Sequence, residues 1–154
     1  MRGESIVDEK IQKRGKRIGW SDEEIARLSP EMMKFIGEAY PKFGQFKMVA
    51  EVIRSSNCSF KLKEGQRLVF ASNGVLLPQD CTANLCLWAI APLLPFNYMV
   101  YDHLYNGIDP SSLFPNTVKC ADTGVACGGF GEVAFRVFCI ESPWTLREVL
   151  GGKP

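Results

Sequence analysis

The sequence predicts an α+β domain: a small antiparallel sheet packed on a central kinked apolar helix, with a helical extension at the N-terminal side. Three observations predict it. Leu85 to Tyr101 is the longest apolar run, and Pro92 and Pro95 bend it. Strand-like segments, Phe46 to Arg54 and Glu132 to Glu141, lie before and after that run. Helix signals without strand signals fill residues 20–40. Two long strands flanking one helix should share an antiparallel sheet with the helices set to one side. The expected organisation is a basic arm plus short helical extension over residues 1–45, an α+β core over 46–142, and a tail or short helix over 143–154.

A chain of 154 residues, 46% hydrophobic and 23% charged, is close to single-domain size and can bury roughly 68–70% of its unfolded surface. In the first 19 residues Lys10, Lys13, Arg14, Lys16 and Arg17 face Glu4, Asp8 and Glu9. This reads as a solvated arm, or as one lying across a neighbouring subunit. No aromatics interleave with the charges as a nucleic-acid stacking platform requires, so nucleic acid is disfavoured. Gly15 and Gly19 argue against a long basic helix.

Ser21 and Glu24 form a capping box, predicting a helix through Ile25 to about Leu28. Ser29-Pro30 starts another, with Met32, Phe35, Ile36 and Ala39 as one apolar stripe reaching Tyr40. Phe46 to Arg54 is the first strand, Ser55 to Lys63 a turn region holding Cys58, and Gln66 to Ala71 the second strand, closed by the Asn73-Gly74 turn signal. Thr82 and Asn84 are candidate caps for a helix from Leu85. Pro92 and Pro95 each remove a backbone donor, predicting a kink and a second helix over Phe96 to Tyr105 that Gly107 ends. A helix apolar on nearly all sides is expected to be buried. Beyond it come a loop to Asn116, an extended Val118 to Asp122 carrying Cys120, and a flexible glycine-rich turn from Gly124 to Gly131. Glu132 to Glu141 alternates as a strand with one buried and one partly covered face. A short helix over Thr145 to Leu150 completes the expected elements.

Several classes are disfavoured. The apolar run barely reaches the roughly 17–25 residues of a membrane span and is interrupted by prolines. A net charge of +1 gives no general affinity for polyanions. The N-terminus has no apolar stretch after its charges, so a cytoplasmic location is expected. Six cysteines in that setting read as reduced thiols or metal ligands.

Cys58, Cys86 and Cys120 stand in separate segments that could meet at one end of the sheet. Thiolates are soft ligands, suiting zinc or an iron–sulfur cluster. No Cys-x-x-Cys pair occurs, and buried structural thiols are the plainer reading. Trp88, Tyr98, Tyr101 and His103 could line an aromatic pocket for a small organic substrate. Asp102 and His103 are adjacent and point about 100° apart on a helix, so the first cannot orient the second. The glycine-rich segment lacks a P-loop lysine and precedes a strand.

Cys58 with Lys63-Glu64-Gly65-Gln66-Arg67-Leu68, then Leu85-Cys86-Leu87-Trp88-Ala89, then Cys120-Ala121-Asp122, is an order of motifs that resembles a family of small prokaryotic domains of uncharacterised function, sometimes tandemly repeated. The resemblance covers about two thirds of the chain and implies the fold, with no reaction attached. Leu87 stands where that family has proline, and Leu62 where many members have a histidine, which removes a potential ligand. The functional expectation is an accessory or binding subunit that forms a homo-oligomer or meets a partner protein through residues 1–45. The alternatives are a cysteine-ligated metal or cluster protein and a small enzyme.

Overall fold

The structure is a computed structural model, and it describes residues 9–145. The predicted 145–150 helix, most of the 143–154 tail and the first residues of the basic arm lie outside the described residues. The chain divides into two compact units, Met1–Lys42 and Phe43–Pro154.

The first unit is helical. Helix α1 (Glu9–Arg17) is followed by α2 (Asp22–Ala26), α3 (Pro30–Lys34), a π-helical stretch Phe35–Ala39, and α4 (Tyr40–Phe43). Ser21 caps α2 as the sequence predicts, its hydroxyl accepting the Glu24 amide at 3.2 Å while the Glu24 carboxylate accepts the Ser21 amide at 2.7 Å. Ser29 caps α3 and Pro30 is its first residue. Gly15 does not interrupt α1. A β-carbon there would stand 2.9 Å from the Ile25 side chain, so this glycine lets α1 and α2 approach closely. Ile11, Ile25, Ile36 and Ala39 are buried, whereas Met32, expected on the same stripe, is exposed. The Arg14 guanidinium donates to the Ile36 carbonyl and lies 5.0 Å from the centroid of the Tyr40 ring.

In the second unit the sheet is antiparallel, in the order β2-β1-β4-β3, built from β1 (Phe46–Ser56), β2 (Arg67–Ala71), β3 (Thr117–Lys119) and β4 (Glu132–Glu141). The long strands flanking the apolar run pair directly: Phe46 lies opposite Glu141 and Ser56 opposite Glu132, with a bulge between Val52 and Arg54. Alternation sends Met48, Ala50, Val52, Phe135, Val137 and Cys139 to one face, all buried. The opposite face carries Val49, Val69 and Phe138, covered by Leu77, Cys81 and Trp144. The Trp144 indole donates to the Phe43 and Phe46 carbonyls, 2.8 Å each, which pins the chain after β4 across the start of β1.

The apolar run forms α5 (Leu87–Ile90), a 3₁₀ turn Ala91–Leu93, and α6 (Leu94–Tyr105). Pro92 sits in the 3₁₀ turn and Pro95 in the first turn of α6, where a missing donor costs least. The kink is therefore where the prolines place it. Two expectations are corrected. The helix begins two residues late, because Thr82 accepts the Arg67 amide at 2.9 Å and Asn84 donates to the Phe60 carbonyl at 2.8 Å, so both side chains serve the neighbouring loops rather than capping. Nor is the helix buried all round: Ala89, Leu93, Phe96, Val100 and Leu104 face the core, but Leu87 is 77% and Tyr98 65% exposed. Asn97, buried against the turn after β2, donates to the Ser72 carbonyl at 2.9 Å. Gly74 makes room there, since its β-carbon would fall 2.8 Å from the Asn97 amide oxygen. Among the described residues no helix is long and apolar enough to cross a membrane.

Candidate functional site

At one end of the sheet three connections meet: the loop after β1, the start of α5, and the segment between β3 and β4. Cys58, Cys86 and Cys120 line one small cavity there together with Leu62, Ala89 and Val133. Its volume is about 20 Å³, room for roughly one water-sized sphere. The three motif cysteines do converge. The Cys120 sulfur accepts the Val133 amide at 3.3 Å, and the Cys120 amide donates to the Val133 carbonyl at 2.8 Å. Cys86 is buried, Cys58 and Cys120 half-buried. As they stand, no three His, Cys, Asp or Glu side chains among the described residues are grouped to hold a metal ion.

Beside this cavity, and sharing Ser59, Phe60, Trp88 and Asp122 with it, opens a larger pocket of about 490 Å³, walled by Phe60, Trp88, Phe130 and Asp122. Such a volume lies in the range of small-molecule sites. The three aromatic side chains are well exposed, Phe60 51%, Trp88 57% and Phe130 71%, and each is set by a local bond. Asn84 holds the Phe60 carbonyl at 2.8 Å. The Trp88 carbonyl accepts the Ala121 amide at 2.8 Å, which ties α5 to the segment after β3.

Asp122 organises the third wall. One carboxylate oxygen accepts the amides of Gly124 and Phe130, both at 3.0 Å, and the other accepts Gly131 at 3.2 Å. Bonds from the Gly124 and Phe130 amides hold its pKa below the usual carboxylate value. The glycine-rich segment, expected as a flexible turn, is tied by these three bonds. It is a loop folded around one carboxylate. Two of its glycines are required by space: a β-carbon on Gly129 would meet that carboxylate at 2.1 Å, and one on Gly131 would meet the Ser56 and Asn57 backbone at 2.5 Å.

Of the predicted pocket residues, only Trp88 lines this pocket. Tyr101 packs edge-on against Phe43, 4.5 Å between centroids, and its hydroxyl donates to the Asn73 carbonyl at 3.3 Å. His103 lies 3.3 Å from the Asp109 carbonyl, near the far end of α6. Tyr98 is on the exposed side of α6. The structure therefore separates these three from Trp88, because Trp88 precedes the proline kink and they follow it. Phe60, Phe130 and the role of Asp122 were not read from the sequence. The available signals were an Asp two residues before a glycine, the Asx-turn spacing, and a phenylalanine enclosed by Gly129 and Gly131.

Comparison with protein-family models, curated proteins and solved structures finds no significant match to the chain.

Proposed function

We propose that the second unit is a small-ligand-binding module whose site is the pocket walled by Phe60, Trp88, Phe130 and Asp122. The observation that carries this reading is a ligand-sized cavity of about 490 Å³ ringed by aromatics left half or more exposed. Exposed aromatic side chains grouped around a concavity are costly to leave in water and are the usual mark of a binding surface. The glycine loop supports the reading as well, since a carboxylate bonded to three amides fixes one wall before any ligand arrives. Amide chemical-shift mapping with phenol, benzoate, benzylammonium and choline tests it. Saturable shifts confined to residues 58–60, 88 and 120–131 are expected, and no shift there with any of the four at millimolar concentration would refute it.

A second reading, for the first unit, is self-association. Lys10, Lys13, Arg14 and Arg17 recur at helical spacing on α1 and line one cavity of about 280 Å³. Asp22, Glu23 and Glu24 form an exposed acidic turn on α2. The two surfaces are opposite in charge, and Glu23 and Glu24 can meet a second copy while Asp22 pairs with Lys16 of its own chain at 3.0 Å. Light scattering should find a dimer that dissociates as salt is raised, and a monomer in low salt at a hundred micromolar would end this reading.

A further inference from the structure

We propose that the pocket of the second unit takes an organic cation of the fully alkylated ammonium class, its methyl groups against Phe60, Trp88 and Phe130 and its charge facing Asp122. This rests on the reading of the pocket as a ligand site and assigns that site a chemical class. Three features carry it. The first is charge: among the nine residues lining the pocket, Ser59, Thr123 and small residues accompany the aromatics, and Asp122 is the single ionisable side chain. An anion would be repelled, and a neutral ligand would strip water from the carboxylate while leaving its charge unpaired. The second is the wall. Aromatic faces carry negative potential and attract a cation within about 6 Å, each contributing roughly 2- to 30-fold in affinity.

The third feature separates alkylated from protonated amines. A carboxylate offers about four lone-pair sites, and three backbone amides already occupy Asp122. Little acceptor capacity is left for an N–H donor, so a primary ammonium would lose its hydration without recovering its hydrogen bonds. A quaternary ammonium has no N–H to satisfy and needs only the field of the carboxylate and the polarisable faces of the rings. A bonded carboxylate among aromatic walls therefore selects charge without hydrogen bonding.

The test compares choline with 3,3-dimethylbutan-1-ol, the same shape with carbon in place of the charged nitrogen, by calorimetry and amide mapping on the wild-type chain. Choline is expected to bind at residues 58–60 and 120–131 at least about tenfold tighter than the alcohol, with affinity falling as salt rises. Trp88→Leu should weaken choline by about tenfold and the alcohol by less than about threefold. Equal affinity of the two compounds would overturn the cation class and leave the pocket standing as a ligand site. Absence of binding by both, alongside binding of phenol at the same amides, would also overturn the class. Silence from every compound would overturn the class and the pocket together. The wild-type comparison depends on no variant folding, so misfolding of Trp88→Leu cannot mask the outcome.

Discussion

The carboxylate of Asp122 accepts the amide of Phe130 at 3.0 Å, closing a loop eight residues along the chain and fixing where the Phe130 ring meets the pocket. Because amide bonds lower the Asp122 pKa in the folded state, their contribution is present above the unfolded value of about 3.9 and is lost as pH falls through the lower folded value. Protection factors of the Gly124, Phe130 and Gly131 amides, measured against intrinsic rates at the same pH, should fall in Asp122→Ala at neutral pH, and in the wild type only under acid, while β1 and β4 amides keep theirs. Unchanged exchange at the three loop amides would contradict the loop geometry.

Gly131 passes so close to the Ser56–Asn57 backbone that no side chain fits. Backbone cannot swing aside as a long side chain can, so Gly131→Ala should destabilise by about 1–3 kcal/mol, the usual cost of overpacking. Denaturant unfolding measures this. Gly37→Ala, where an added β-carbon meets nothing within 4 Å, should be neutral or stabilising by up to about 1 kcal/mol.

What the sequence made legible was mostly periodic or chemically punctuated. Glu132 to Glu141 alternates cleanly, and it forms β4 with those bounds. Ser21 with Glu24, and Pro92 with Pro95, act through local backbone chemistry, so the capping box and the kink fall where they were expected. The pocket was less legible because its walls come from segments without periodicity: Phe60 follows β1, Trp88 begins α5, and Phe130 precedes β4. Tyr98, Tyr101 and His103 shared an apolar run with Trp88, but a proline kink divides that run. Proximity in sequence then no longer means proximity in space. The cysteines show the reverse: Cys58, Cys86 and Cys120, distant in sequence, meet at one cavity because β1, α5 and β3 all end or begin at the same edge.

Cys139 lies on the buried face of β4 beside Met48 in register. Burial first, and the Asp109 charge second, push its thiol up to about 12. The unfolded thiol ionises near 8.5, so between these values the folded chain holds a proton that the unfolded chain releases. The stabilising contribution is full below about pH 8.5 and falls as pH rises towards 12. Cys139→Ala should flatten the alkaline decline in unfolding free energy. In the wild type at pH 8, thiol reagents followed by mass spectrometry should label exposed Cys127 well before Cys139.

Three thiols around a cavity of about 20 Å³ do not amount to a coordination sphere. Zinc holds sulfur at about 2.3 Å and requires the ligands to close on one point, and among the described residues these sulfurs are not grouped that way. Anaerobically purified protein should carry well under one zinc or iron per chain. A stoichiometry of one that falls away in Cys86→Ser would show that the sulfurs do close, and would make this cavity a metal centre.

The most direct test of the ligand site is the indole N–H signal of Trp88, assigned by its loss in Trp88→Phe, across the panel of phenol, benzoate, benzylammonium and choline. At least one compound should move that signal saturably while the Trp144 indole, bonded to the Phe43 and Phe46 carbonyls at 2.8 Å, stays in place. A Trp88 signal unmoved by all four compounds at millimolar concentration would contradict the assignment of this pocket as a binding site.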